Sequence, residues 1–170
     1  LRDLVTETLA KHGLAPGAVA CVASIDVKMD EAAVNALGEA LGLPVRFFDA
    51  ATLEAETPRL ANPSDVVFNE VGCHGVAEGA ALAAGGPDAA LIVEKTKSKR
   101  ATCAVARARG NIDASAMGRA RGRLTVVGTG PGTPLWRTPA VSRAVAEATD
   151  LVGYGLYLDL LGPAAEGKAL

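Results

Sequence analysis

Short apolar runs alternate with helix-like segments over roughly the first two thirds of the chain. In residues 1–11 and 30–41 the apolar side chains follow helical spacing, whereas residues 18–25 and 45–48 are apolar runs of strand length. A glycine follows closely on each helix-like segment, as at many helix ends. Such alternation is typical of helices that cover a sheet. The pattern predicts an α/β fold, with a three-layer α/β/α domain over residues 1–107.

The following stretch predicts two helices and a β-hairpin. Ser64 and Asp65 provide an N-cap for a helix over residues 66–71, and the Ala-rich residues 76–84 form a second helix. Residues 89–94 and 101–106 are strand-like and flank a polar turn. Residues 108–122 lack periodicity and are rich in Gly, Ala, Ser and Arg, which predicts an interdomain linker.

The tail begins like a second domain. The apolar residues 124–127 stop at a glycine-rich loop, a helix-like segment follows, and Leu151 and Val152 open another apolar run. This pattern predicts one β-loop-α-β start, and the residues up to Leu170 are too few to bury both faces of a parallel sheet. We therefore expect residues 123–170 to be the first part of a truncated domain, and the chain to be a piece of a larger protein.

Composition narrows the class of protein. The chain has 170 residues, of which 49% are hydrophobic, enough for one well-buried domain and little more. It has no apolar run of transmembrane length and no recognisable secretory signal. The three cysteines, Cys21, Cys73 and Cys103, are far apart, which favours a reducing compartment over a disulfide framework. We expect a cytoplasmic protein without a metal site.

Positive charge is concentrated in one region. Nine of the 17 Lys and Arg residues lie between Lys95 and Arg123, where Asp113 is the single acidic residue. Such a block suits either nucleic acid or a polyanionic small ligand, unless it is a solvated hairpin followed by a basic linker. Because no aromatic side chain that could stack on a base interrupts it, we expect no nucleic-acid partner.

Two segments carry candidate chemistry in the first domain. Lys28 follows a predicted buried strand, where ligands usually meet an α/β sheet, and it can anchor an anion or act as a base. Glu78 falls in the first turn of a predicted helix, as a general acid/base or simply as a helix-start acid. Gly72 allows close backbone approach to a ligand, and His74 is a further acid/base candidate.

The glycine loop of the tail is the third candidate. Gly128, Gly130, Pro131 and Gly132 suit a strand-to-helix turn whose backbone touches a ligand. Pro131 and the spacing of the glycines exclude the dinucleotide-binding fingerprint, and no phosphate-binding P-loop follows. A plain connection between two elements explains the pattern equally well.

The tail nevertheless resembles the start of the tetrapyrrole (corrin) methylases, most of all the precorrin-3B C-17 methyltransferases. The residues that match are Gly128, Gly130, Pro131, Gly132, Thr138, Gly153, Tyr154 and Tyr157, whereas Thr133 replaces the usual acidic residue. The resemblance implies S-adenosylmethionine as the cofactor of the complete domain, with the glycine loop as part of its site. This chain alone is expected to be inactive as a methyltransferase.

Residues 1–107 resemble the C-terminal domain of the CbiG/CobE family of cobalamin biosynthesis. The matching stretches are SIDVKMDEAAVNALGEALGLPVRFFDAATL, NEVGCHGVAEGAALAAG and LIVEKTKSKRATCAVARA. Lys28 and Glu31 occupy the Asp-x-Lys-x-x-Glu pattern, and Glu78 closes the Val-Gly-x-x-x-Val-Ala-Glu pattern. The family's usual first strand has no counterpart in this sequence.

The two resemblances imply a bifunctional protein of corrin-ring synthesis. Its first domain would open the lactone of cobalt-precorrin-5A by hydrolysis, with Glu78 and Lys28 as catalytic residues. The same resemblance implies that precorrin or cobalt-precorrin intermediates are bound by Lys28, Gly72, His74, Lys95, Lys97 and Arg100. The carboxylates of these intermediates suit Lys28 and the cations of the hairpin as anion anchors. The alternative is a non-catalytic, CobE-like tetrapyrrole carrier. Other corrin-pathway enzymes are the expected partners, and no membrane association is expected. Whether the chain forms a homodimer is left open.

Overall fold

The structure, a computed structural model, describes residues Leu1 to Leu170 and divides into two compact units. Unit 1 comprises Leu1–Arg121 and unit 2 comprises Gly122–Leu170. Unit 1 contains, in chain order, α1 (Arg2–Lys11), β1 (Val22–Ile25), α2 (Ala32–Leu41), β2 (Val45–Phe48), α3 (Ala50–Glu54), α4 (Asp65–Val71), α5 (Val76–Gly85), β3 (Ala90–Lys97) and β4 (Thr102–Arg107). None of the helices combines the length and the hydrophobicity that crossing a bilayer requires.

The strands of unit 1 form two separate pairs. β1 and β2 are parallel, with Val22 opposite Val45, whereas β3 and β4 form an antiparallel hairpin with Ala90 opposite Arg107. Each pair is a sheet of two strands. The predicted α/β class is therefore confirmed, but a single sheet between two helical layers is not formed by these residues.

Helices pack on both faces of the hairpin. On β4, the Cys103 thiol contacts Thr8 of α1, whereas Ala106 lies beside Gly85 of α5. Side chains alternate between the two faces of a strand, so an odd-numbered and an even-numbered position point in opposite directions. The hairpin is consequently covered by α1 on one side and by α5 on the other.

The core of unit 1 lies between β1, β2, α3 and α5. Ile25 and Leu53 are fully buried, and Phe48 is 7% exposed. Burial of each such side chain contributes about 1.5–3 kcal/mol. Gly79 allows the close approach of α5 to α3, because a Cβ atom there would lie 3.3 Å from the carbonyl oxygen of Leu53. The Ala- and Gly-rich composition of α5 is thus a packing requirement.

The segment predicted as a linker packs in part against unit 1. The Arg46 guanidinium donates hydrogen bonds to the carbonyl oxygens of Ser115, Met117 and Gly118, at 3.3, 2.7 and 3.3 Å. Phe47 and Arg119 exchange two backbone hydrogen bonds. Residues 115–119 therefore cover the outer edge of β2, and the linker prediction does not hold for them. Sequence periodicity cannot reveal this contact, because residues 115–119 take part in it through their backbone atoms.

Unit 2 contains two helices, α6 (Pro139–Glu147) and α7 (Gly155–Asp159). Thr138 caps α6 by accepting a hydrogen bond from the Val141 amide. Neither predicted strand forms: residues 124–127 are irregular, and so are Leu151 and Val152. The apolar pattern suits a strand, but no neighbouring strand offers backbone partners or covers these side chains, which leaves Leu124 91% exposed.

Candidate ligand-binding site

A cavity of about 940 Å³ lies between β1 and β4 of unit 1. Its walls include residues of both strands and apolar side chains of α1, α2 and α5. Its volume lies within the usual range for small-molecule sites. This cavity is the candidate site, because two residues that sequence analysis predicts as ligand-binding, Lys28 and Arg100, line it.

Two of the predicted anion anchors line this cavity. β1 ends at Ile25, a 3₁₀ turn over Asp26–Lys28 follows, and this turn brings Lys28 to the cavity. Arg100 reaches the cavity from the turn between β3 and β4. Val76 and Ala77, in the first turn of α5, line it as well. Two cations and the start of a helix suit a carboxylate or another anion.

The Lys28 ammonium already has one partner. It lies 3.5 Å from a carboxylate oxygen of Glu31, and both side chains are nearly half exposed, at 45% and 43%. Exposed ion pairs of this kind contribute about 0–1 kcal/mol, so a ligand carboxylate can compete with Glu31. Lys28 is exposed to solvent, which favours anion binding over the catalytic role predicted for it.

Gly72 and His74 lie in the turn between α4 and α5 and do not line the cavity. Gly72 ends α4 in the left-handed region, with φ of 76°. The His74 Nδ1 lies 2.9 Å from the Glu54 carboxylate, and the His74 amide donates to the same carboxylate at 3.0 Å. The imidazole also stacks on Phe68, with 4.5 Å between ring centroids.

Glu54 is a polar partner that sequence analysis missed. It lies 20 residues before His74, and no motif or spacing relates the two. The hydrogen bond from the His74 side chain, with help from the His74 amide and Thr57, holds the pKa of Glu54 below its ordinary value against the effect of desolvation. The contacts of Glu54 with His74 and Thr57 order the turn before α5. Because His74 does not line the cavity, it is separated from Lys28 and Arg100, which do.

Glu78 has a buried carboxylate that is fully engaged by the protein. Its side chain accepts hydrogen bonds from the amides of Ala61, Asn62 and Lys95, at 2.8, 3.0 and 2.8 Å, and from the Asn62 side chain at 2.9 Å. The residue is 1% exposed. Burial raises the pKa of Glu78, but these hydrogen bonds outweigh it, so the pKa lies below the ordinary value.

This geometry favours a structural role for Glu78 over the predicted catalytic one. An ionised carboxylate cannot protonate a leaving group, and its oxygen atoms are occupied by four donors. The carboxylate joins the 61–62 loop to β3 through the first turn of α5. A catalytic role for Glu78 stays a prediction.

The remaining predicted anchors lie outside the cavity. The Lys95 ammonium donates a 2.9 Å hydrogen bond to the Asn62 carbonyl oxygen, which ties it to the loop held by Glu78. Lys97 is exposed at the end of β3. Of the hairpin cations, Arg100 is the one that lines the cavity.

The glycine loop of unit 2 follows an irregular segment instead of a strand. Gly130 and Gly132 have φ of 73° and 113°, and Gly128, Gly130 and Pro131 are exposed. A strand end that would present the loop to a cofactor is absent. S-adenosylmethionine as the cofactor of the complete methylase domain stays a prediction.

Comparisons with known proteins identify the first unit. Residues 1–106 match the family model described as "Cobalamin synthesis G C-terminus". Protein CobE of Sinorhizobium sp is 52% identical over 103 residues, which cover 61% of this chain and 67% of that protein. The crystal structure of CobE, a protein from the cobalamin (vitamin B12) biosynthetic pathway, matches with a TM-score of 0.58 and 42% identity, over 62% of this chain and 78% of that chain.

A shorter match concerns the cobalamin biosynthesis protein CobIJ of Mycobacterium bovis and Mycobacterium tuberculosis. It is 55% identical over 38 residues, which are 22% of this chain and 8% of that protein. The resemblance to the CbiG/CobE family is thus confirmed, whereas the fusion to a methyltransferase stays a prediction. The chain belongs to the cobalamin synthesis G C-terminus family, and with it to cobalamin biosynthesis.

Proposed function

We propose that unit 1 binds a carboxylated corrin or precorrin intermediate in its cavity, with Lys28 and Arg100 as anion anchors, as a CobE-type binding module. The observation that carries this proposal is that Lys28 and Arg100, far apart in sequence, line one cavity together with the start of α5. Corrin precursors carry acetate and propionate carboxylates at their periphery. Charge-assisted hydrogen bonds from lysine and arginine suit such groups.

A binding function agrees better with the site than hydrolysis does. Glu78, the predicted acid/base, is buried and fully hydrogen-bonded. His74 lies outside the cavity. Lactone hydrolysis, with release of acetaldehyde, is the second candidate, and it rests on the CbiG family relationship alone.

Substitution of the two cavity cations tests the binding site. In the full chain, Lys28→Met and Arg100→Met should each weaken the binding of cobyrinic acid by about tenfold, because each removes one charge-assisted contact worth about 1.5 kcal/mol. Lys99→Met is the matched control, since Lys99 neighbours Arg100 but does not line the cavity. Fluorescence or absorbance titration measures the affinity. Equal affinity in all four proteins would contradict the site.

Aldehyde detection separates the two candidates. With the cobalt-precorrin lactone as substrate, a binding module holds the ligand without releasing acetaldehyde. Acetaldehyde release by the wild-type chain would establish hydrolysis instead. In that case Glu78→Gln would show whether the predicted acid/base takes part.

For unit 2 we infer that it corresponds to the opening of a tetrapyrrole methylase domain in a bifunctional parent protein. Support comes from the 38-residue match to CobIJ and from the glycine loop. Equilibrium dialysis with S-adenosylmethionine tests it: the parent should bind the cofactor, and Gly132→Val should abolish binding, because a β-branched residue disfavours a φ of 113°. Binding that is unchanged by the substitution would contradict the role of the loop.

A further inference from the structure

Two arginines that follow the β3–β4 hairpin reach the turn that carries Lys28. The Arg119 guanidinium lies 3.3 Å from the Asp26 carboxylate. The Arg121 guanidinium lies 3.1 Å from the Asp30 carboxylate. Asp26 stands two residues before Lys28 and Asp30 two residues after it. Both carboxylates that flank the lysine are therefore paired with cations from a distant part of unit 1.

The charge of the Lys28 turn depends on these pairs. Residues 26–31, DVKMDE, contain three carboxylates and one ammonium group, an excess of two negative charges. Such a turn would by itself repel an anion, because like charges at short range oppose binding. Arg119 and Arg121 supply two positive charges and bring the turn to neutrality. The Lys28 ammonium then has the half-exposed Glu31 carboxylate as its ion-pair partner, at 3.5 Å.

A third carboxylate near Arg119 has a different partner. Asp49 lies 3.9 Å from the Arg119 guanidinium, and as the N-cap of α3 it accepts a hydrogen bond from the Thr52 amide at 2.8 Å. This hydrogen bond, more than the charge of Arg119, holds the pKa of Asp49 below its ordinary value. The nearer carboxylate, that of Asp26, is consequently the main partner of Arg119.

The backbone, and not the two arginine side chains, holds this segment in place. Phe47 and Arg119 exchange backbone hydrogen bonds of 2.8 and 2.7 Å, and the Arg46 guanidinium binds carbonyl oxygens within residues 115–118. The side chains of Arg119 and Arg121 are more than half exposed, and exposed ion pairs contribute little to stability. Their removal should therefore change the charge of the Lys28 turn and leave the fold intact.

We propose that Arg119 and Arg121 determine the specificity of the Lys28 site for anions, by neutralising the two carboxylates beside the lysine. They act through these carboxylates and not by touching the ligand, so they are positioning residues. Both lie beyond residues 1–106, which match the family model. That the anion is a corrin carboxylate rests on the proposed function, whereas the effect on the charge of the turn does not.

A thiol introduced into the turn measures this charge without a corrin. Val27 is 70% exposed, so Val27→Cys places an accessible thiol next to Lys28. In the full chain at low salt, its reaction rate is measured with the dianionic Ellman's reagent and with neutral dithiodipyridine. The ratio of the two rates reports the local potential, because the same thiolate attacks both reagents. The chain without this substitution gives the background from Cys21, Cys73 and Cys103.

Combined Arg119→Gln and Arg121→Gln should lower this ratio by about fivefold, because two carboxylates beside the thiol then lack a cation. Addition of Asp26→Asn and Asp30→Asn should restore the ratio. Combined Arg119→Lys and Arg121→Lys should keep it, since lysine retains the charge. Lys99→Gln with Arg109→Gln is the matched control: it removes two exposed charges of the same basic region that do not line the cavity, and it should leave the ratio unchanged.

The same substitutions, without Val27→Cys, are then tested by titration with cobyrinic acid. The arginine-to-glutamine variant should bind it about fivefold more weakly, and the aspartate-to-asparagine additions should restore the affinity, which they would not do after a merely structural loss. An unchanged labelling ratio would overturn the proposal, and so would a lowered ratio with unchanged affinity. If the wild-type chain does not bind cobyrinic acid, the proposed function fails, and the labelling ratio alone still decides whether the arginines set the charge of the turn.

Discussion

At the scale of single residues, Glu78 shows how a candidate catalytic group can have a structural role. From its place in the first turn of a helix beside a glycine-rich turn, this glutamate is either a candidate acid/base or simply a helix-start acid. Its four hydrogen bonds instead connect α5 to the 61–62 loop and to β3. Two of those donors are the backbone amides of Ala61 and Asn62 in a loop, and a pattern of side chains cannot predict such backbone contacts.

Glu78→Gln should destabilise unit 1. The substitution replaces one acceptor oxygen by an amide group that faces N–H donors, so the free energy of unfolding at neutral pH should fall by about 2 kcal/mol. Urea denaturation measures it. Glu39→Gln is the control, because Glu39 is exposed, and it should change stability by less than about 0.5 kcal/mol. Equal stabilities of the two variants would contradict the structural role.

Acidification provides a second readout of Glu78. Its pKa in the folded protein lies below the ordinary value of 4.5, so its contribution is complete above that pH and is lost as the pH falls through the folded pKa. The free energy of unfolding of the wild type should therefore fall more steeply below about pH 4.5 than that of Glu78→Gln. Parallel pH profiles would show that the carboxylate is not stabilised by folding.

At the scale of elements, the turn between α4 and α5 is set by backbone conformation. Gly72 ends α4 with a positive φ, and its amide donates to the Phe68 carbonyl oxygen at 2.8 Å. The chain then passes through Cys73, in the core, to His74, whose amide and ring both contact Glu54. The turn thus fixes where α5 begins and, with it, where Val76 and Ala77 meet the cavity.

Gly72→Ala should destabilise the chain by about 1 kcal/mol, because an L-residue is strained at a φ of 76°. Gly17→Ala is the matched control: its φ is not positive, and nothing lies within 4 Å of the added methyl group. The control should be neutral or slightly stabilising, since alanine restricts the unfolded chain. Differential scanning calorimetry compares the melting temperatures of the two variants. Equal melting temperatures would contradict the requirement for glycine at position 72.

Local patterns predicted most elements of unit 1, but not how its strands combine. The helical spacing of residues 30–41 and the apolar residues 45–48 correspond to α2 and β2 within two residues. The predicted hairpin corresponds to β3 and β4. Sheet order and the edge cover by residues 115–119 depend on long-range backbone pairing, which side-chain periodicity does not encode. The same limit explains residues 124–127, whose strand-like pattern lacks a partner strand.

The candidate site was also predictable only in part, because local patterns indicate individual residues but not how the elements combine. Lys28 follows a strand end, and Arg100 lies in a hairpin turn, so both have local signals. That they line one cavity, while Lys95, Lys97 and His74 do not, follows from the tertiary arrangement of the elements. Local signals rank candidate residues, and the fold selects among them.

At the scale of the whole molecule, the two units differ in how much apolar surface they bury. Unit 2 has just two buried hydrophobic residues, Val145 and Leu161, and exposes several large ones. The exposed side chains include Leu124, Val126, Leu135, Trp136, Val152 and Tyr154. A core of two residues provides little stability for a unit of this length.

Limited proteolysis should therefore digest unit 2 first. Trypsin should cleave at Arg123, which is 73% exposed on its side chain, and leave a protected fragment that contains residues 1–121. The native fold of that fragment is checked by its melting temperature, which should match the main transition of the full chain. Cleavage within α5 or the hairpin before cleavage in residues 122–170 would contradict this order of stability.

One titration shows whether unit 1 recognises a corrin through its carboxylates, as we propose. Wild-type chain is titrated with cobyrinic acid and, in parallel, with its fully methylated ester, while the absorbance of the corrin is followed. If unit 1 recognises the carboxylates, the acid should bind saturably and more weakly when salt is added, and the neutral ester should bind at least about tenfold more weakly than the acid. Equal binding of acid and ester, or no binding of either, would contradict the proposal.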